Sequence, residues 1–472
     1  MEKLRLEERE SLRLAGAATV ATDGFGAALQ SFRLTERDED MPANAALARA
    51  VYSAGEELLR GWPPKPARDA VQAKGAQTVK DVLRRVRNSF GRRYAKAIYR
   101  RLTGGYRHFI RAEELVYAAA EICPGLCPTR EQVRDELAVP LADKEGVELA
   151  QTDFLSHVLT CGETGEHLIH AMLRPMPRSL ALLEKFRRDG RLDLGTAQVE
   201  RQGRLGCVYF NNIRYLNAED ATTVGPLETA VDLVLLDPGI RMGLLRGNRV
   251  EHPKYRGRRI FSSGLNLTHL YHGQLPLMFY LTRDLGFTNK LYRGLSLEPY
   301  CPEGPENTLE KLWMAALEGF AIGGGCQLLL VLDYVIAEQG AYCNLPARKE
   351  GIIPGVAPMR LARFLGQRQA QAGILFDRGF SVDSPEGSSL VNEVLPAAEM
   401  DAAVQRLAAE VADSGVVSAG ANRKAIRMGV EPLDLFRQYM ALYSRDQGDC
   451  HFSQALVDNL KKHWVSRNNS GA

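Results

Sequence analysis

The sequence predicts an α/β protein with a helical N-terminal domain, a central α/β core and a helical C-terminal segment. Three observations carry this. Up to about residue 200, Ala, Leu, Arg and Glu dominate in amphipathic runs; from there short apolar β-type runs alternate with helical ones; beyond Pro396 the helical pattern returns. A chain of 472 residues is too long for one compact core. The divisions expected are 1–198 (helical), 199–398 (α/β core) and 399–472 (helical).

In chain order, amphipathic spacing predicts helices at Ala45–Arg60, Val79–Leu102, Arg111–Ile122, Leu149–Leu159 and Gly165–Leu173. Proline clusters at Pro63–Pro66, Pro124–Pro128 and Pro175–Pro177 separate them, because proline has no N–H and restricts the residue before it. In the core, strands are expected at Cys207–Phe210, Met242–Arg246 and Met314–Ala321, with helix over Ala218–Leu236. Helices are expected again at Ala397–Val411 and Pro432–Trp464.

Composition narrows the function classes. Hydrophobic residues make up 45% and charged residues 25%, which excludes global disorder. Sixty Lys and Arg against 57 Asp and Glu leave +3, no polyelectrolyte signal for nucleic acid or membrane. MEKLRLEERE is charged where a secretory signal is apolar, and the longest apolar stretch, about a dozen residues, stops at Asp333. Eight cysteines lack framework spacing, so the expectation is a cytoplasmic protein with free thiols. His167 with His170, and His269 with His272, have helical metal spacing but no third ligand; Cys123 and Cys127 lack a second pair. No metal site is expected. The segment Lys80–Arg101 carries nine Lys/Arg with interleaved aromatics, as in some nucleic-acid binders; in a nearly neutral chain it reads instead as a solvated or subunit-contact helix face.

The chemistry centres on two glycine bends. An apolar strand ending at Ala321-Ile322 runs into Gly323-Gly324-Gly325, with helix from Cys326. Glycines there turn the chain sharply and leave N–H groups unshielded at a helix N-terminus, where negative charge is favoured. A second bend lies in FSSGLNL, residues 261–267. Two N–H groups from separate bends converging on one oxygen make an oxyanion hole. Cys326 reads as a small core residue in preference to a nucleophile, having no partner histidine. Gln327, on an apolar helix face, calls for a hydrogen-bond partner. From the residues alone, Arg283 beside Asp284 can be a solvated pair, and Glu219, at the start of a helical stretch, can be a helix cap.

HPKYRGRRIFSSGLNL, ALEGFAIGGGCQLLLVLDYVIAE, LPARKEGIIPG and FDRGFSVDSPEGSSLVNEVLP, in that order, resemble the crotonase (enoyl-CoA hydratase/isomerase) superfamily over about Leu205–Pro396. The resemblance implies a crotonase-like spiral of ββα units, assembled as a trimer or hexamer, that binds acyl-CoA thioesters. It places the oxyanion donors at the amides of Leu265 and Gly324. Phe261, Ser262, Ser263, Gly264 and Leu265 would line the adenine end of the CoA pocket, with Gly323 and Gly325 at the other bend. Where hydratases of the family carry two glutamates, this chain has Gln327 and Ala347, neither of them an acid or base. Hydration is therefore not expected.

Gln327 in GGGCQLLLV, Glu219 in LNAEDATTV, LETAVDLVLLDPGIRMGLLRG, Arg283 in TRDLGF and ADKEG at 142–146 extend the resemblance into the N-terminal helices. They resemble the cofactor-independent oxygenase branch of the superfamily, which acts on hydroxylated phenylacetyl-CoA on the way to the dihydroxyphenylglycine of glycopeptide antibiotics. That implies arylacetyl-CoA and O₂ as substrates, no metal or cofactor, ring hydroxyls held by Glu219, Arg283 and Gln327, and His252 along the CoA. Glu219 is the first candidate for the benzylic proton and Glu350 the second. The rival readings are another crotonase-type reaction (thioester hydrolysis, decarboxylation or isomerisation) without O₂, and a nucleic-acid-binding scaffold that has lost its chemistry.

Overall fold

The structure is a computed structural model and describes residues 6–16, 19–35, 37–301, 307–412 and 416–465. The chain forms two compact units: Met1–Leu168 with Pro276–Met278 and Met440–Phe452, and Ile169–Leu275 with Phe279–Tyr439 and Ser453–Ala472. Among the described residues no helix is long and apolar enough to cross a membrane.

The first unit is built on the helix Ala70–Leu102. Asp69 starts it with a capping box: its side chain accepts from the Val71 and Gln72 N–H groups, and the Gln72 side chain accepts from the Asp69 N–H. This cap begins the helix nine residues before the predicted Val79. Its apolar stripe, including Val79, Val82, Val86, Phe90 and Ile98, is buried against the helices Met41–Arg60 and Leu149–Thr160. The basic residues on the other faces pair within the unit. Arg84 donates to Asp153 at 2.7 and 2.8 Å and meets Asp449; Arg85 meets Glu8, Arg93 Asp38 and Lys96 Glu163. Lys80 meets Glu145, and the Arg87 guanidinium lies over the Tyr52 ring. The counter-charge for this basic helix is thus supplied by the same unit.

The second unit holds β1 (Arg191–Asp193), β2 (Ala197–Gln202), β3 (Leu205–Phe210), β4 (Met242–Gly247), β5 (Leu312–Leu317), β6 (Phe320–Ile322), β7 (Tyr334–Glu338), β8 (Tyr342–Asn344), β9 (Phe380–Ser381) and β10 (Glu393–Leu395). Seven of them form a sheet in the order β1-β2-β3-β4-β5-β7-β10, antiparallel from β1 to β3 and parallel from β3 onward. β6, β8 and β9 make a smaller sheet. The central strands β3 to β5, buried on both faces, are apolar except at Arg246, whose guanidinium pairs with Glu318, as a parallel sheet covered on both sides favours. One face packs Cys207, Leu244, Met314 and Ile336 under Met400, Val404 and Leu407 of the helix Met400–Ala412. The other packs Val208, Leu245 and Ala315 against Leu227, Val231 and Val234 of the helix Val224–Leu236.

Several expectations need correction. The run Met314–Ala321 is two strands, because the chain breaks at Glu318-Gly319, with Gly319 at φ +68°. The helix expected over Ala218–Leu236 begins only at Val224; Asp220 and Thr223 hold the preceding residues in a turn, the Thr223 hydroxyl accepting from the Asp220 N–H. The helix after the glycines is Gly324–Leu329, and the same apolar run re-enters the large sheet as β7. Short apolar runs do not separate buried helix from buried strand by periodicity, and here sheet pairing decided.

A buried ion cluster ties the helical end of this unit together and sets an acid limit. Glu431 accepts from Arg360 at 2.7 and 2.9 Å and from Arg363 at 2.8 Å. Burial alone would raise its carboxyl, but the Arg360 charge and hydrogen bonds, then Arg293 and Arg363, outweigh that and hold it at about 2. A carboxyl depressed in the folded state contributes stability that is present above the ordinary value near 4.5 and lost as pH falls toward 2. We expect on the order of 3 kcal/mol of acid-sensitive stability from this group. Urea unfolding of wild type and Glu431→Gln at pH 7 and pH 3 checks it: equal pH dependence in both would contradict the assignment.

Candidate active site

The two glycine bends lie against each other in the second unit. Ser262 pairs with Ala321 as an isolated parallel bridge; Ile322 N–H donates to the Ser262 carbonyl at 3.0 Å, and Ser262 N–H to the Phe320 carbonyl at 3.2 Å. Gly264 sits at φ +83°, and a Cβ built there would stand 2.6 Å from the Ile322 carbonyl oxygen and 3.3 Å from the Gly323 Cα. Only glycine permits both that backbone angle and that approach.

The neighbouring chain leaves one amide over at each bend. Glu219 forms a parallel bridge with Leu265: its N–H donates to the Gly264 carbonyl at 2.7 Å, and its carbonyl accepts from the Asn266 N–H at 2.8 Å. Those bonds flank Leu265 and leave its own N–H outside the pairing. At the second bend the Gly323 N–H donates to the Asn344 carbonyl at 2.8 Å, while Gly324, first residue of its helix, has no carbonyl a turn behind it. Among the described residues neither the Leu265 nor the Gly324 N–H has a protein acceptor.

Behind Gly324 lies a buried polar network. Arg283 donates all five of its N–H groups: to the two Glu219 oxygens at 2.5 and 2.9 Å, to Asp284 at 2.8 Å, to the Gln327 Oε1 at 2.9 Å and to the Gly324 carbonyl at 2.9 Å. It is 4% exposed and Asp284 1%, so the solvated-pair reading of Arg283 and Asp284 falls. Burial opposes the guanidinium charge, but the Glu219 and Asp284 carboxylates outweigh it and hold Arg283 above its ordinary range. Burial also raises the Asp284 carboxyl, with Arg283 opposing. Among the described residues the Gln327 Nε2 group has no acceptor. A Cβ on Gly324 would stand 2.4 Å from a Glu219 oxygen, so the network and the bend need each other's shape. Glu219 is not a helix cap: it lies five residues before Val224 with both oxygens on Arg283.

Arg283 and Asp284 owe their position to a π-turn, Arg283–Phe287, between the helices Met278–Thr282 and Thr288–Arg293. Such turns are rare and recur at functional sites. No sequence periodicity announced it.

A cavity of about 1100 Å³ opens beside the bends. Ser263, Leu265, Asn266, Ile322 and Asn344 line it near the bends; Arg214, His252, Lys254 and Lys349 give it a basic wall; Tyr215, Tyr255 and Trp464 add aromatic surface. Of the stretch predicted to line it, Phe261 instead faces the core, packed edge-on to Phe210, and Ser262 is buried with its hydroxyl on the Asn217 carbonyl at 2.9 Å. His252 caps the turn Pro253–Tyr255, its Nδ1 accepting from the Lys254 N–H at 3.3 Å. Gly325 packs on Ser262, and Gly323 carries the bend at φ +50°. Cys326 is a core residue beside Cys343; that hydrogen bond and burial raise its thiol well above the ordinary value, which removes the nucleophile reading. Asp284, Asn344 and Gly355 were not singled out from the sequence. Asn344 Oδ1, on the cavity wall, is buried without a partner among the described residues, and a Cβ built on Gly355 would collide with the Gln327 and Asp284 side chains. The histidine pairs are occupied individually: His167 bonds Tyr99 and the Tyr106 carbonyl, and His269 bonds Asp220.

Unpaired amides on two abutting glycine bends, beside a cavity with a basic wall, are an arrangement suited to a thioester carbonyl. The comparisons define the class: the chain belongs to the enoyl-CoA hydratase/isomerase, or crotonase, family, whose pattern matches residues 256–445. A (3,5-dihydroxyphenyl)acetyl-CoA 1,2-dioxygenase of Amycolatopsis orientalis is 44% identical over 405 residues, 85% of this chain and 91% of that protein. A short-chain-enoyl-CoA hydratase of Clostridium acetobutylicum is 25% identical over 271 residues, 57% of this chain and 94% of that protein. A solved enoyl-CoA hydratase from Bacillus halodurans overlaps 57% of this chain and all of its own, with 18% identity and a TM-score of 0.48.

Proposed function

We propose that this chain catalyses the reaction for which its Amycolatopsis relative is named: a dihydroxyphenylacetyl-CoA and O₂ give the aryl glyoxylate and free CoA. The observation that carries it is the 44% identity to that dioxygenase over 85% of the chain, reaching well beyond the matched family segment. The geometry supplies the chemistry. A thioester carbonyl oxygen in reach of the Leu265 and Gly324 amides can hold enolate charge when a benzylic proton leaves. Each such donor contributes roughly 3 kcal/mol to a charged transition state.

Beyond the bend, the free Nε2 of Gln327 and the remaining lone pairs of Glu219 are groups a ring hydroxyl can bond, with Arg283 fixing both. The electron-rich enolate would transfer an electron to O₂ and recombine as a benzylic peroxide. Its attack on the thioester carbonyl expels CoA, and O–O cleavage with loss of the second benzylic hydrogen leaves the keto acid with both oxygen atoms. The chain's part is to bind, orient and exclude water; no metal or cofactor enters this reading. Gln327 and Ala347, where hydratases carry glutamates, support it over hydration. The basic wall of Arg214, Lys254 and Lys349 suits the CoA phosphates. A cytoplasmic homo-oligomer, trimeric or hexameric, completes the reading by resemblance.

The experiment is direct. Metal-stripped protein is incubated with 3,5-dihydroxyphenylacetyl-CoA in air and under nitrogen, following oxygen uptake, free thiol and keto acid. One O₂ per thiol in air, with no thiol under nitrogen, is the expected result. Thiol release without oxygen uptake would replace the dioxygenase with an oxygen-independent crotonase reaction.

A further inference from the structure

The proposed reaction needs a group to take the benzylic proton. Glu219 is poorly placed for it: both its oxygens accept from Arg283, and it is not among the residues that line the cavity with Leu265. The cavity wall offers another carboxyl. Among the described residues that line the cavity with Leu265, Glu350 is the one acid. It ends the short helix Ala347–Glu350, three residues beyond Ala347, and is half-buried. No hydrogen bond or ion pair with a described residue engages its carboxyl. The nearby cation of Arg348 is turned to Asp377 at 2.8 Å.

We propose that Glu350 is the catalytic base of the reaction above. Its carboxylate takes the benzylic proton: the C–H bond breaks, the proton passes to a Glu350 oxygen, and the electron pair enters the enolate held at the Leu265 and Gly324 amides. This assignment rests on the proposed reaction and goes beyond it.

The surroundings fit the task. Loss of solvent, and then the Asp377 charge at the end of the helix Ala362–Phe376, push the Glu350 carboxyl up to about 8. Lys349 on its own helix and His463 of the C-terminal turn line the same cavity, as do Arg214, His252 and Lys254. A carboxylate of that strength is a better match for a carbon acid than an ordinary one. With the folded value near 8, about one-tenth of the enzyme is ionised at pH 7, so the rate should rise about tenfold by pH 9.

The test separates proton removal from oxygen chemistry. Under nitrogen in D₂O, exchange of the benzylic hydrogens of 3,5-dihydroxyphenylacetyl-CoA is followed for wild type, Glu350→Gln and Glu350→Asp, beside substrate affinity and aerobic turnover. Glu350→Gln should slow exchange at least about 100-fold, keep affinity within a few-fold and lose the pH limb near 8. Glu350→Asp should keep that limb at a reduced rate; if Glu350→Gln fails to fold, this variant decides, and a flat profile overturns the proposal. Wild-type exchange in Glu350→Gln, with dioxygenase turnover intact, overturns the base assignment alone. A wild-type enzyme that releases thiol without taking up O₂ overturns the reaction, and the base with it.

Discussion

Arg283→Met should destabilise the protein by roughly 3–5 kcal/mol, the range for removing one partner of a buried ion pair. Five hydrogen bonds end on this guanidinium. Without it, Glu219 and Asp284, each 1% exposed, become adjacent buried carboxyls without their hydrogen-bonded counter-charge, and Gln327 loses the donor to its Oε1. Each group must then be desolvated unpaired or take up a proton. Lysine should not rescue it, since one ammonium cannot fork across Glu219 while also reaching Asp284, Gln327 and the Gly324 carbonyl. Urea denaturation of wild type, Arg283→Met and Arg283→Lys reads the effect. A loss below about 1 kcal/mol in the methionine variant would mean the network is hydrated in solution and not dry.

The largest effect on turnover is expected from Gly264→Ala. A methyl group there would stand 2.6 Å from the Ile322 carbonyl oxygen, on a residue held at φ +83°. The bend must move, and with it the Leu265 amide relative to Gly324. An oxyanion donor displaced in this way costs roughly 100- to 1000-fold in kcat. Gly340→Ala, at a glycine with φ +81° where a built Cβ meets nothing within 4 Å, carries the same backbone penalty away from the site and serves as the control. Single-turnover thiol release is the measurement, with circular dichroism to confirm folding. If Gly264→Ala keeps kcat within a few-fold, the amide pair does not hold the reacting oxygen.

Some of this architecture was open to view in the residues alone, because periodicity and backbone restriction are local. Val79, Val82, Val86 and Phe90 recur at helical spacing, and the helix is there. Gly264 and Gly323–Gly325 mark bends that no other residue would take, and both bends exist. Apart from Gln327 and Asp333, residues 326–337 are apolar or aromatic, so no local periodicity told the helix Gly324–Leu329 from β7. The difference lies in a partner, β5, some twenty residues away along the chain, whose Ala315 pairs with Val335.

The candidate site divides along the same line. Sequence by itself determined which side chains carry charge or amide chemistry, where the backbone can bend, and that Gln327 and Ala347 offer no acid or base. Tertiary structure alone decided that Arg283 is exhausted by its neighbours, that Phe261 turns into the core, and that Glu350 lines the cavity with no ion pair to a described residue. Those outcomes depend on burial and on which distant groups come within about 3 Å, and a hydrogen bond's partner is set by folding in space, not by position along the chain.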